Sequence, residues 1–192
     1  MTVAGLLLAA GEGRRMGGPK ALLRDSHDVP FVDRAVGVLL DGGCATVTVV
    51  LGAAASDVHL LLEEAGWTDD AAVSVVVADG WGSGMGASLR AGLAALDAAD
   101  AALVSLVDLP DVTAAVVARV LARGTGPESL ARASYGGRPG HPVLLGRSHW
   151  AGVTDLARGD RGARDYLAEH DVHEVECGDL ATGRDVDQPA DL

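Results

Sequence analysis

Four short apolar runs that alternate with helical patterns constrain the fold of this chain more than any other feature. Short and nearly continuous apolar runs are typical of parallel strands that are covered on both faces. They lie at Val3–Ala10, Thr46–Leu51, Val73–Ala78 and Ala102–Val107. Between them, apolar residues recur at three- and four-residue steps, which predicts helices. The predicted helices are Phe31–Leu40, Val58–Ala65, Leu89–Ala98 and Val112–Ala122. This alternation predicts a three-layer α/β/α fold with a mostly parallel sheet.

The second half of the chain has a less regular pattern. We predict a loop over Gly124–Pro142, a strand at Pro142–Leu145 and a helix at Ala163–His170. The sequence contains no linker, repeat or low-complexity segment, and its 192 residues suit one core. We therefore expect a single domain that spans residues 1–192.

Composition limits the partners that the chain can have. The net charge of −12 argues against nucleic-acid binding, which requires a basic face. The sequence has neither an apolar stretch of membrane-spanning length nor a basic leader, so we expect a cytoplasmic protein with no membrane association. Cys44 and Cys177 lack metal-ligand spacing, which favours simple free thiols.

The first apolar run breaks abruptly into glycines and cations. The segment reads Leu-Ala-Ala-Gly-Glu-Gly-Arg-Arg-Met-Gly-Gly-Pro-Lys over residues 8–20. Glycines let backbone N–H groups approach a ligand closely, and cations beside them suit phosphate. Met16 breaks the dinucleotide fingerprint, and Pro19 and Ala21 break the P-loop pattern. The residues favour a nucleoside triphosphate site, with a plain glycine-rich turn as the alternative.

Acidic residues stand where a metal ion would be useful. Asp108 ends the fourth apolar run, and such strand ends meet the crevice where α/β sheets bind ligands. Carboxylate oxygens and substrate phosphates are the ligands that Mg²⁺ prefers. A second acidic group, which includes Asp187, closes the chain. The alternatives are a turn-initiating aspartate at Asp108 and an acidic terminus in which Pro189 opens a helix.

Three further segments carry candidate ligand-binding residues. Asp79–Arg90 contains alternating glycines and Ser88 between a strand and a helix, which favours a ligand-binding loop over a plain capped one. Gly136–Pro142 and Gly159–Arg164 offer cations and polar groups for a second, anionic substrate. Taken singly, these last residues are equally consistent with turn, cap and solvated-surface roles.

In order and in combination, these segments resemble the molybdenum cofactor cytidylyltransferase family, which belongs to the Rossmann-like nucleotidyltransferases. The resemblance covers the whole chain and rests on residues 8–20, Gly84–Leu89, Asp108-Leu-Pro and Asp185-Val-Asp-Gln-Pro. It implies that Arg15, Lys20 and Asp108 are catalytic, that Asp108 and Asp187 bind Mg²⁺, and that CTP is bound. The implied nucleotide-binding residues are Leu8, Ala9, Ala10, Gly11, Gly13, Arg15, Lys20, Asp79, Gly84, Met85, Gly86 and Ser88. The implied acceptor-binding residues are Arg138, His141, Asp160 and Arg164.

The resemblance also implies a reaction. CMP would pass from CTP to the terminal phosphate of molybdenum-loaded molybdopterin, giving a cytosine dinucleotide cofactor and pyrophosphate. A molybdoenzyme or a delivery protein would be the partner that receives the product. Two alternatives stay open: a transferase of the same fold that uses GTP or another nucleotide with a different phosphorylated acceptor, and a non-catalytic carrier of the pterin cofactor.

Overall fold

A seven-stranded sheet runs through the middle of the protein, in a computed structural model that describes residues 1–96 and 98–188. Pro189, at which the alternative interpretation of the acidic terminus begins a helix, lies outside the described residues. The strands are β1 (Val3–Ala9), β2 (Thr46–Leu51), β3 (Val73–Val77), β4 (Ala101–Leu106), β5 (Leu130–Tyr135), β6 (Arg138–Gly146) and β7 (His173–Glu176). The helices are α1 (Phe31–Asp41), α2 (Ala55–Glu64), α3 (Met85–Ala94), α4 (Ala114–Leu121), α5 (Trp150–Leu156) and α6 (Arg164–Ala168).

The sheet is mostly parallel, as the sequence predicts. Its strand order is β3-β2-β1-β4-β6-β5-β7. Strands β1 to β4 pair in parallel, and so do β5 and β7, whereas β6 is antiparallel to both of its neighbours. The long β4-to-β5 connection therefore feeds a hairpin that extends an otherwise parallel sheet.

The central strand β1 shows why helices cover both faces. Every residue of β1 is buried, and successive side chains on a strand point to opposite faces. Leu7 and Ala9 pack with α1, α2 and α4, whereas Leu6 and Leu8 pack with α3, α5 and α6. A continuous apolar run thus supplies two separate cores, and the predicted three-layer architecture is confirmed.

The prediction of a loop over Gly124–Pro142 is wrong. Residues in this stretch form β5 and the first half of β6, joined by the two-residue turn Gly136-Gly137. Both glycines have positive φ angles of 60° and 74°, which a tight hairpin turn requires. The predicted strand at Pro142–Leu145 is the second half of β6, whereas Pro139 obscured the first half, because proline removes a backbone donor and is rare inside sheets. Helix α5 and strand β7 also lack a counterpart in our sequence predictions.

The strand order of the sheet has a switch point between β1 and β4. Strands β2 and β3 lie on one side of β1, and β4 lies on the other. In parallel sheets, ligands bind at such a switch point, in the crevice beyond the carboxyl ends of the strands. The register pairs Leu8 with Leu106, so the segments that follow β1 and β4 emerge side by side.

None of the helices within residues 1–96 and 98–188 is long and apolar enough to cross a membrane.

Leu103 lies on β4 with no solvent exposure, inside the core beneath α1 and α4. We expect Leu103→Ala to lower the free energy of unfolding by about 2–5 kcal/mol, because it removes buried methyl groups and leaves a cavity. Urea denaturation monitored by circular dichroism measures this change. The matched control is Leu60→Ala, at a leucine that is 54% exposed on α2, with an expected change of about 0.5 kcal/mol or less. Equal effects of the two substitutions would contradict this account of the core.

Candidate active site

The loop after β1 is held in shape by Gly13. Its carbonyl oxygen accepts hydrogen bonds from the backbone N–H groups of Met16 and Gly18, at 2.8 and 3.3 Å. Its φ angle is +59°, and a Cβ atom added there would lie 1.9 Å from the Gly18 carbonyl oxygen. Both the backbone conformation and the close approach require glycine. Gly13 therefore shapes the loop around the site.

A cleft of about 470 Å³ opens where this loop faces the ends of β1 and β4. It contains most of the residues that we predicted to bind nucleotide or metal. Those that line it are Leu8, Ala10, Gly11, Gly13, Arg15, Lys20, Gly84, Met85, Ser88, Asp108 and Asp187, together with the acceptor candidate Asp160. Residues that are far apart in the sequence thus meet in one cavity large enough for a small ligand.

A cluster of charged side chains forms one wall of the cleft. The Lys20 ammonium donates hydrogen bonds to Asp108 Oδ2 at 2.7 Å and to Asp187 Oδ1 at 2.6 Å. Arg15 lies 3.7 Å from the second oxygen of Asp187, and its side chain is mostly exposed. Asp185 completes an acidic group in which carboxylate oxygens of Asp108, Asp185 and Asp187 lie within 4.8 Å of one another.

Burial and neighbouring charges shift the pKa values of this cluster. Burial raises the pKa of the Asp108 carboxyl, as does the Asp185 carboxylate, and together they outweigh the opposing effect of Lys20. The hydrogen bond from Lys20 lowers the pKa of Asp187. Burial disfavours the ammonium of Lys20, but its bonds to Asp108 and Asp187 outweigh this effect and raise its pKa. Lys20 is therefore a fixed positive charge at neutral pH.

The same cluster has the chemistry of a divalent cation site. Asp108 Oδ1 is buried, and no other residue in the described part of the chain donates a hydrogen bond to it. Lys20 compensates one of the three carboxylate charges, and the mostly exposed Arg15 lies beside Asp187. Hard carboxylate oxygens are the protein ligands that Mg²⁺ and Mn²⁺ prefer. Asp108 and Asp187, with Asp185 beside them, fit such an ion.

Asp185 is absent from our predicted ligands. The sequence did contain a signal for it, because residues i and i+2 of an extended segment point to the same side. Asp185 and Asp187 have that spacing on either side of Val186, which is buried.

The glycine-rich start of α3 packs against the segment that follows α5. A Cβ on Gly84 would lie 2.5 Å from the Gly159 carbonyl carbon, and one on Gly86 would lie 2.7 Å from that of Ala157. Gly86 faces this contact and does not line the cleft, whereas Gly84 does both. Asp160 is brought to the cleft by the same packing.

The other predicted site residues lie away from the cleft lining. Ala9 is buried in the core, and Asp79 is exposed. Arg138 is exposed beside the β5–β6 turn, and Arg164 is exposed at the start of α6. His141 lies on β6, where burial and the nearby Arg164 charge lower its pKa to about 4. A neutral imidazole is therefore present at physiological pH, near Arg164 but outside the cleft.

Several cleft residues were missed by the sequence analysis. Glu12, Arg14, Gly82, Ser83, Leu106 and Val107 lie within or beside motifs that we had singled out, and Trp81 adds an aromatic side chain. Trp81 packs over the end of β2, since a Cβ on Gly52 would lie 2.6 Å from its ring. A tryptophan inside a glycine-rich loop of a chain with only three tryptophans was the available signal.

Comparison with known proteins identifies the family. Residues 5–175 match the MobA-like NTP transferase domain. The chain belongs to this family. It is therefore a nucleotidyltransferase, and the family resemblance and the enzyme class that we inferred from the sequence are confirmed.

The similarity of this nucleotidyltransferase to its relatives covers nearly the whole chain. It is 37% identical to nicotine blue oxidoreductase from Paenarthrobacter nicotinovorans, over 96% of this chain and 92% of that protein. The structure of Rv0371c from Mycobacterium tuberculosis has 28% identity and a TM-score of 0.81, covering 100% of this chain and 95% of that one. That protein has also been solved in complex with manganese. A nucleotidyl transferase from Methanothermobacter shares the fold, with 23% identity, a TM-score of 0.81 and coverage of 99% and 94%.

We expect Gly13→Ala to weaken nucleotide binding. The added methyl group would collide with the Gly18 carbonyl and force a left-handed backbone on alanine, at a cost of about 1–3 kcal/mol. Isothermal titration calorimetry with nucleoside triphosphates measures the effect. The matched control is Gly18→Ala in the same loop, where an added Cβ meets no atom within 4 Å. Equal affinities of the two variants would show that the shape of this loop does not matter for binding.

Proposed function

We propose that this nucleotidyltransferase transfers CMP from CTP to the terminal phosphate of molybdenum-loaded molybdopterin. The observation that carries the proposal is the charged cluster of Lys20, Asp108 and Asp187, which lies beside a glycine-rich loop in one cleft. Cations, carboxylates and open backbone groups in one place suit a triphosphate with its metal ion. The products would be the cytosine dinucleotide cofactor and pyrophosphate.

The chemistry requires positioning and charge neutralisation rather than a strong base. An oxygen of the acceptor phosphate would attack the α-phosphorus of CTP and form a new P–O bond. The bond from the α-phosphorus to the oxygen that bridges to the β-phosphorus would break, and pyrophosphate would leave with that electron pair. A phosphate monoester has its second pKa near about 6, so the nucleophile is already largely deprotonated at neutral pH. This agrees with a cleft lining that includes no histidine among the described residues.

Each charged residue has a part in this scheme. Asp108 and Asp187, with Asp185, would hold Mg²⁺ or Mn²⁺, as suggested by the manganese complex of the related M. tuberculosis protein. When bound, such an ion supplies positive charge to phosphate oxygens and orients them. Lys20 and Arg15 are the two cations that contact this cluster, and Arg15 lies at its exposed edge. Both would stabilise the negative charge that develops on pyrophosphate.

The nucleotide base would lie between the loop after β1 and the glycine-rich loop before α3. Trp81 lines the cleft and offers an aromatic face of the kind on which bases stack. Ser88 is buried at the first turn of α3 and lines the same cleft, so its hydroxyl is a candidate hydrogen-bonding group. The resemblance of Gly84–Leu89 to the loop of cytidylyl transferases favours CTP over GTP.

The acceptor would enter from the side of Asp160. Asp160 lines the cleft, whereas Arg138, His141 and Arg164 lie outside it in the described structure. These three residues remain proposed contacts for the far end of a large pterin substrate. Two of them, His141 and Arg164, are near each other. The product would pass to a molybdoenzyme or a delivery protein.

We expect pyrophosphate release with CTP, Mg²⁺ and molybdenum-loaded molybdopterin, and much slower release with GTP, ATP or UTP. The control variant is Asp108→Asn, which removes a metal-binding charge and keeps the shape of the side chain, and should reduce turnover at least about 100-fold. Release with GTP instead of CTP would retain the mechanism and change the product. Full activity of Asp108→Asn would exclude the proposed metal role.

We expect Lys20→Met to lower kcat by about 100-fold and to change KM for CTP much less, because the charge that Lys20 neutralises grows in the transition state. Steady-state kinetics with CTP measures both constants. Arg24→Met, which removes an exposed cation outside the cleft, is the matched control and should leave both constants unchanged. A rise in KM alone would make Lys20 a binding residue only.

A second candidate activity comes from the 37% identity to nicotine blue oxidoreductase. It would be the reduction of a dye-like aromatic compound by a nicotinamide nucleotide bound in the same cleft. The dinucleotide fingerprint is broken at Met16, which does not favour this activity. Oxidation of NADH or NADPH, followed at 340 nm with nicotine blue as acceptor, tests it directly. Turnover in this assay, together with no release of pyrophosphate in the transferase assay, would contradict the transferase proposal and support the oxidoreductase activity.

A further inference from the structure

The segment that carries Asp185 and Asp187 contains no helix or strand after β7 in the described residues. Residues 177–188 instead lead from the end of β7 to the residues that follow β4. The backbone N–H of Val186 donates a hydrogen bond to the Asp108 carbonyl at 3.0 Å, and the Val186 side chain is buried. Specific contacts, rather than regular secondary structure, therefore bring Asp187 to Lys20.

Asp111 makes the contact that fixes this segment halfway along its course. Its Oδ2 atom accepts hydrogen bonds from both the backbone N–H and the hydroxyl of Thr182, at 2.6 and 2.5 Å. Asp111 itself follows Asp108 by three residues, just after Pro110. One carboxylate thus joins the segment that carries the first metal-binding aspartate to the segment that carries the other two.

Gly183, the next residue, allows the segment to turn close to its neighbours. Gly183 has a φ of +62°, and a Cβ added to it would lie 2.1 Å from the Tyr135 ring. Tyr135 is in turn held by its hydroxyl, which donates to the His141 carbonyl at 2.7 Å. The chain therefore turns against a fixed aromatic ring immediately after the contact between Asp111 and Thr182. From this turn, only three residues separate Gly183 from Asp187.

We propose that Asp111 and Thr182 are positioning residues for the metal site, acting through the segment from Thr182 to Asp187. This inference rests on the proposed function, because it assumes that Asp108, Asp185 and Asp187 hold a divalent cation. Hydrogen bonds to a charged acceptor are stronger than neutral ones, so two of them on one oxygen hold the segment firmly. The segment is thereby ordered before the ion and the nucleotide bind, which lowers the entropic cost of assembling the site.

The test separates the position of the segment from activity. Thr182→Val removes the hydroxyl donor and keeps the shape of the side chain, Thr182→Ser restores the hydroxyl, and Asp111→Ala removes the acceptor. The first measurement is amide hydrogen exchange at Val186, whose N–H is bonded to Asp108. The second is the affinity for Mn²⁺ alone, measured by electron paramagnetic resonance with no nucleotide present.

We expect Thr182→Val to speed exchange at Val186 and to weaken Mn²⁺ binding by about 10-fold, the lower end of the range for residues that orient metal ligands. Asp111→Ala should have a larger effect on both, and Thr182→Ser should restore wild-type values. The matched control is Asp70→Ala, which removes a carboxylate that accepts a backbone hydrogen bond from Ala72, outside the cleft. It should leave both measurements unchanged.

Each other outcome overturns the proposal in a recognisable way. Faster exchange at Val186 with unchanged Mn²⁺ affinity would make the contact structural only. Unchanged exchange and affinity in all variants would show that the segment is held without Asp111. Wild-type protein that does not bind Mn²⁺ would overturn the metal site of the proposed function, and the positioning role with it.

Discussion

The concentration of negative charge at the end of β4 is the constraint on which the site depends. Asp108 is largely buried, and Asp185 and Asp187 lie beside it, so their mutual repulsion must be compensated. Lys20 supplies the compensation from a position 88 residues away from Asp108 in sequence and 167 from Asp187. A buried charge without such a partner is strongly destabilising. The loop after β1, the end of β4 and the C-terminal segment are thus tied together electrostatically.

Close backbone packing around the cleft gives this charged cluster a fixed setting. Gly13 allows the loop after β1 to fold on itself, and Gly84 and Gly86 allow the start of α3 to touch the segment after α5. In each case a side chain would collide with backbone atoms, which cannot move aside as the end of a flexible side chain can. The glycine-rich character of the sequence near the site therefore reflects packing as much as ligand contact.

The family membership fixes the type of fold and the enzyme class, but the identity of the substrates depends on fewer residues. Trp81, Ser88 and the loop around Gly84 line the same cleft as the charged cluster and differ from it in chemistry. A relative that is 37% identical bears the name of an oxidoreductase. In the function that we propose, the charged cluster binds the triphosphate with its metal ion, and the residues around Trp81 select the rest of the substrate. Substrate choice can therefore change while the fold and its charges are kept.

Local pattern determined the strands β1 to β4, the helices between them and the mostly parallel sheet, because buried strands and amphipathic helices have distinct hydrophobic periods. It also located the loop after β1 and the aspartates at 108 and 187. Strand β5 and the first half of β6 escaped detection, because pairing across the sheet offsets the unfavourable Pro139, and pairing between distant segments has no local signal. Only the tertiary structure decided that Lys20 bridges Asp108 and Asp187, that Asp185 joins them, and that Arg138, His141 and Arg164 stay outside the cleft. Such meetings depend on how distant segments pack, and the sequence near any one of these residues does not encode where the others lie.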